Sequence, residues 1–149
     1  AGQTQIIYST MLLDAQLFPP YMQVIPRDAQ HSIVTDVTSL RQTVNRLILA
    51  ASEATSAAAF HFIDSKLTLR TDNLDVGSAE EDVDFTGRVG YSFKIGVSLR
   101  YLGEALERIA TTSAKLNFNG ELDPILLHSI GDNSSRDVGD VFVIMPCRL

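Results

Sequence analysis

The 149-residue sequence contains one cysteine, Cys147. A single cysteine excludes an internal disulfide and fits a reducing cytoplasm, the expected location of the chain. No apolar run approaches the ~18 residues that a membrane-spanning helix needs. Ala1-Gly2-Gln3-Thr4-Gln5 has no basic n-region, so no signal peptide is expected. Basic charge is scarce: 12 Lys+Arg stand against 18 Asp+Glu, a net charge of -6. A tight nucleic-acid binder ordinarily carries a basic surplus, so the sum alone argues against one.

Catalytic signatures are missing too. There is no Gly-x-Ser-x-Gly, no Walker loop and no His-Glu-x-x-His. Gly87-Arg88-Val89-Gly90 is too short for a dinucleotide loop and opens no helix. His31, His61 and His128 lie far apart with no second ligand near any of them, so no metal site is expected. Asp72-Asn73-Leu74-Asp75-Val76-Gly77 lacks the alternation of a calcium loop. No cofactor is implied and an enzyme is poorly supported. An α+β enzyme domain with an unrecognised site stands as the alternative to a binding protein.

What is present is an ordinary core. Hydrophobic content of 45% and charged content of 20% suit one globular domain. Residues 5–10 form a short strand-like run, and 12–26 read as a linker in which Pro19-Pro20 forbids helix. Phe18, Tyr21 and Val24 would anchor it. A strand over 32–35 leads to a helix over 38–53, capped by Asp36 or Thr38. Leu40, Val44, Leu47 and Ala51 share one face of that helix. Leu49 points about 160° away, a mild sign of an interface. Strands over 58–63 and 67–71 form a hairpin, with Phe60 and Phe62 on one face. A polar, acidic loop over 72–78 precedes Glu80-Glu81-Asp82-Val83-Asp84-Phe85, whose acids suit an exposed sheet edge.

The order then repeats. A strand over 91–95 leads to a helix that starts near Gly96 and Ser98 and runs to about 110, with Leu99, Leu102, Leu106 and Ile109 as its apolar face. Arg100 and Glu104, four apart, are placed to pair. Strands follow over 114–119, 122–129 and 141–145, with Asn119-Gly120 turning the first hairpin. Gly131–Gly139 reads as a mobile loop. The elements spell β-α-β-β-β twice, with helix starts roughly 60 residues apart. Two such units give an α+β fold: two helices covering two four-stranded antiparallel sheets.

The last nine residues are the most distinctive stretch. Val141-Phe142-Val143-Ile144-Met145 reads as a buried strand, and Pro146 ends its pairing. The short apolar tail beyond suggests a role outside the sheet. Arg148 beside Cys147 would mildly favour its thiolate, but packing or exposure without chemistry is the preferred reading.

The ending Val143-Ile144-Met145-Pro146-Cys147-Arg148-Leu149 resembles that of the bacterial sliding clamp, the β subunit of the replicative polymerase. So do Asp14-Ala15-Gln16-Leu17-Phe18-Pro19-Pro20-Tyr21, Ile95-Gly96-Val97-Ser98-Leu99-Arg100-Tyr101-Leu102 and Asn119-Gly120-Glu121-Leu122-Asp123-Pro124-Ile125-Leu126, in family order. The resemblance covers the third domain of a clamp protomer. It implies that 1–11 is a remnant of the preceding domain's last strand, 12–26 a linker and 27–149 the C-terminal domain.

By the same resemblance the chain is a fragment of a non-catalytic processivity factor. Its peptide-binding groove would be lined by Pro19, Gln23, Val24, Ser98, Tyr101, Leu122, Pro124, Val143, Ile144, Met145, Pro146, Cys147, Arg148 and Leu149. The groove would receive linear motifs from polymerase, clamp loader and repair proteins. Pro20, Gln23 and Cys147 stand where the family more often has Asp, Arg and Met. Arg41, Arg46, Arg100 and Arg108 would face double-stranded DNA without reading its sequence. Leu49, Ala50, Asp75, Glu80 and Glu81 would close a homodimeric ring head to tail.

Overall fold

The computed structural model describes residue 25 and residues 28–63, 66–90, 92–131 and 137–149. The expected strand remnant at 1–11, and the linker at 12–26 apart from Ile25, lie outside the described residues.

Strand β1 (His31–Asp36) runs directly into helix α1 (Val37–Leu47). Asp36 is still extended, and its Oδ1 accepts the Ser39 amide at 2.6 Å, so the aspartate is the cap. Leu40, Val44 and Leu47 are at most 1% exposed, as their spacing requires. Each contributes ~1.5–3 kcal/mol of burial. The helix ends at Leu47, earlier than its apolar pattern suggests. Beyond it the amides of Leu49, Ala50 and Ala51 bond three residues back, to Arg46, Leu47 and Ile48. This tightening winds Ala51 into the core and turns Leu49 out to solvent.

Four strands follow: β2 (Ala57–Ile63), β3 (Lys66–Asn73), β4 (Gly77–Asp84) and the short β5 (Thr86–Arg88). Phe60 and Phe62 are buried while Ile63 is exposed, as alternation predicts. The stretch 72–78 is not a loop. Asp72 pairs with Ser78 and Asn73 with Gly77, leaving only Leu74, Asp75 and Val76 to turn the chain. Asn73 Oδ1 accepts the Asp75 amide at 3.0 Å, the local bond that lets an Asn-Asp-rich stretch turn tightly. The sequence showed no sign of β5. It pairs with β1 through Gly87, whose φ is 133° and where a Cβ would overlap the Ser32 carbonyl.

The second half is β6 (Phe93–Ser98), α2 (Leu99–Arg108), β7 (Ser113–Phe118), β8 (Ile125–Ile130) and β9 (Asp137–Ile144). Ser98 remains extended and gives no side-chain cap. Instead the Leu99 amide donates to the Ser56 carbonyl at 2.8 Å. Leu122 and Pro124 belong to the turn before β8 rather than to a strand. Part of the loop expected at 131–139 is β-ladder, since β9 already begins at Asp137.

Pairing departs from one sheet per unit. One sheet has five strands in the order β5-β1-β7-β8-β9, and the other four in the order β4-β3-β2-β6. Each half lends its leading strand to the other half's sheet, so each helix bridges from one sheet to the other. That places α1 and α2 side by side, and a Cβ on Gly103 would lie 3.6 Å from Val44 Cγ1. One core joins both sheets and both helices. Phe62 holds its centre, with ring centroids 4.7 Å from Phe118 and 6.3 Å from Phe85.

Candidate functional site

β9 delivers the tail to one end of the molecule. Leu126 pairs with Val143 and Ile125 with Ile144, so Pro124 and Met145 come one step beyond the last pair. Ile144 is buried, while Val141, Val143 and Met145 face outward. α2 lies alongside, and Tyr101, Glu104, Ala105 and Arg108 share a depression with residues Val141 to Ile144. Tyr101 is 56% exposed, Met145 57% and Leu122 82%, high values for large side chains. Tyr101 and Val143 therefore share one depression, half-buried Pro124 and exposed Met145 follow at the end of the β8–β9 ladder, and Leu122 is exposed in the turn before β8. Ser98 belongs to the same end but is buried at the junction of β6 and α2. Pro19, Gln23 and Val24 lie outside the described residues.

The tail is pinned rather than loose. The Cys147 amide donates to the Gly96 carbonyl on β6 at 2.9 Å. Cys147 is half-buried, and burial pushes its thiol above the ordinary range, in line with packing rather than a thiolate favoured by Arg148. Arg148 and Leu149 extend over the outer face of the β2–β3–β6 sheet, beside Ala57, Ala59, Arg70, Asp72 and Lys94.

The four arginines assigned to DNA separate. Arg46 forks onto Glu81, with Nε to Oε1 at 2.8 Å and Nη2 to Oε2 at 2.6 Å. Hydrogen bonding from Arg46 holds the Glu81 carboxyl below its usual range. A residue expected at a DNA channel is thus tied to one expected at an interface between protomers. Arg100 lies over the Tyr101 ring, its guanidinium carbon 5.1 Å from the centroid, and makes no ion pair with Glu104 among the described residues. Arg108 Nη1 donates instead to the Glu104 carbonyl at 2.9 Å. Arg41 is half-buried on α1.

At the opposite edge, β4 is the outer strand of its sheet, as its acids suggested. Leu49 is 80% exposed, and with Ala50 it lies in the turn after α1 rather than on the helix. Asn73 Nδ2 donates to the Ala51 carbonyl at 3.2 Å, which brings that turn to the β3–β4 hairpin. Asp75 sits at the hairpin tip, not on the strand with Glu80 and Glu81. Leu74 and Val76 beside it are exposed apolar residues that the sequence reading passed over. Two large apolar residues inside an acidic turn were the available signal. Among the described residues no group of three His, Cys, Asp or Glu is arranged to hold a metal, and no helix is long and apolar enough to cross a membrane.

Against this geometry the comparisons agree with one another. Residues 22–148 match the model of the DNA polymerase III beta subunit, C-terminal domain. The beta sliding clamp of Synechococcus elongatus is 29% identical over 139 residues, covering 92% of this chain and 35% of that protein. That of Caulobacter vibrioides is 30% identical over 132 residues, covering 89% and 34%. A crystal structure of the Pseudomonas aeruginosa DNA polymerase sliding clamp superposes with a TM-score of 0.79 at 26% identity, over 89% of this chain and 34% of that one. The Caulobacter crescentus clamp gives 0.78 at 30%, with the same coverage. The chain spans about a third of the length of the curated relatives it matches.

Proposed function

The chain belongs to the family of the C-terminal domain of the DNA polymerase III beta subunit, and on that basis we propose that it serves as the third domain of a sliding clamp, a non-catalytic tether that keeps polymerase on DNA. One observation carries the proposal: exposed Tyr101 and Val143 line one depression where α2 meets the end of β9, and exposed Met145 follows directly after that strand. A depression beside a strand end, with Tyr101 and Val143 as apolar walls and Glu104 and Arg108 as a charged rim, suits an extended peptide with aliphatic and aromatic anchors. The occupant is a short linear motif from a replicative polymerase, a clamp loader or a repair protein. The family resemblance adds Pro19, Gln23 and Val24 to this groove, and these lie outside the described residues.

In the whole protein, α1 and α2 face duplex DNA and contact its phosphates without reading bases. The β4 edge and the Leu49–Ala50 turn form half of a head-to-tail homodimer contact that closes a ring in the cytoplasm. The paired helices and the acidic outer strand support this. Family membership sets aside the alternative of an unrelated enzyme domain.

A fluorescent pentapeptide of the Gln-Leu-x-Leu-Phe type tests the groove. It should bind at about micromolar strength, roughly −8 kcal/mol. Removing Met145–Leu149 should abolish binding while cooperative unfolding is retained. A folded chain that ignores the peptide overturns the proposal.

A further inference from the structure

Gly96 meets the tail at a distance that no other residue type permits. A Cβ built on it would overlap the carbonyl oxygen of Cys147, and would lie 3.1 Å from that carbonyl carbon and 3.2 Å from Leu149 Cγ. Backbone conformation is not the reason. Among the described residues the glycines with left-handed φ are Gly77, Gly87 and Gly139, and a Cβ on Gly77 or Gly139 would meet nothing within 4 Å. At 96 the missing side chain makes room for another stretch of backbone. β6 is the outer strand of its sheet, and its Gly96 carbonyl accepts the Cys147 amide where a neighbouring strand would otherwise pair. Ala59 is the Gly96 partner on β2, so small residues continue inward from the contact.

The consequence falls on the groove. Ile144 is buried as the last paired residue of β9, and Cys147 is the next anchored one. Only Met145 and Pro146 lie between them, and the proline ring fixes its own φ. Anchoring both ends of so short a span leaves Met145 little freedom and sets the direction in which β9 leaves the sheet. We propose that Gly96 is the positioning residue of the peptide groove: by lacking a side chain it seats Cys147, and the seated tail holds Val143 and Met145 as a preformed wall. Preforming that wall removes an ordering cost from peptide binding. The inference rests on the groove proposed above.

Cys147, the only cysteine, supplies a readout that does not depend on the peptide. In the 149-residue chain, Gly96→Ala should unseat the tail, speed alkylation of Cys147 by an uncharged maleimide severalfold, and weaken the pentapeptide roughly tenfold. Cys147→Pro removes the amide donor from the other side and should weaken the peptide similarly. Adding Gly96→Ala to it should cost nothing more, because both changes break one contact. Unchanged alkylation and affinity in folded Gly96→Ala, or additive losses in the double variant, overturn the proposal. Should Gly96→Ala not fold, full peptide affinity in Cys147→Pro overturns it and weakened affinity supports it. If the parent chain binds no peptide, the groove is lost, and the alkylation rates still decide whether Gly96 seats the tail.

Discussion

The two edges of the domain use the same materials in opposite ways. At the β4 edge charge meets charge: Arg46 with Glu81, Lys66 with Asp82, and Arg70 with Asp72 and Glu80. These ion pairs all lie on α1, β3 and β4. At the α2–β9 end the exposed apolar side chains Tyr101, Val143, Met145 and Leu122 predominate, and the charged neighbours Glu104 and Arg108 make no ion pair with each other among the described residues. Exposed ion pairs contribute little to stability but oppose stray strand pairing. Exposed apolar side chains contribute nothing until a partner covers them. A charged edge therefore suits a selective, salt-sensitive contact, and an apolar end suits capture of a peptide.

Substitutions at the two ends should separate these roles. The largest effect is expected within α2, between adjacent residues. Leu102→Ala opens the core and should cost about 2–5 kcal/mol in denaturant unfolding. Tyr101→Ala should leave stability within about 0.5 kcal/mol yet weaken the peptide by about 2 kcal/mol, as read by fluorescence anisotropy. Equal stability losses for the two would erase the distinction between core face and groove face. Next comes the helix cap. Asp36→Ala should cost about 1 kcal/mol in unfolding and leave peptide affinity unchanged.

The smallest effect is expected at the charged edge. Glu81 has its carboxyl pKa lowered in the folded state, first by the hydrogen bond from Arg46. A lowered folded pKa means a contribution present above the unfolded pKa and lost as pH falls through the folded one. Stability should therefore decline on the acid side of the ordinary carboxylate range, and Glu81→Gln should flatten that decline in thermal melts. Arg46→Met should act in the same direction and leave the peptide bound. A change in peptide affinity from either would mean that the two edges are coupled.

Much of this was legible in the sequence, because it depends on local periodicity. Leu40, Val44 and Leu47 marked one helix, Leu99, Leu102 and Leu106 the other, and alternation placed Phe60 and Phe62 inside. Pairing across the halves was not legible. β1 and β6 look the same to a period-2 pattern whichever sheet receives them, so the exchange of leading strands left no trace. β5 is too short to show a period. The 72–78 hairpin read as a loop because Asp and Asn are common in both loops and tight turns. The resemblance named Tyr101, Val143 and Met145 for the proposed groove, and all three are exposed. The seat at Gly96 was not legible, because that glycine precedes a helix and its contact lies 51 residues away, at Cys147 (147 − 96).

The most direct measurement is a methyl and amide chemical-shift map of the 149-residue chain titrated with the pentapeptide. Shifts should concentrate at Tyr101, Leu122, Val143 and Met145, with the signals of Leu49, Leu74 and Glu81 unmoved. Shifts centred on the β4 edge, or spread evenly over both ends, would contradict the assignment of the α2–β9 groove.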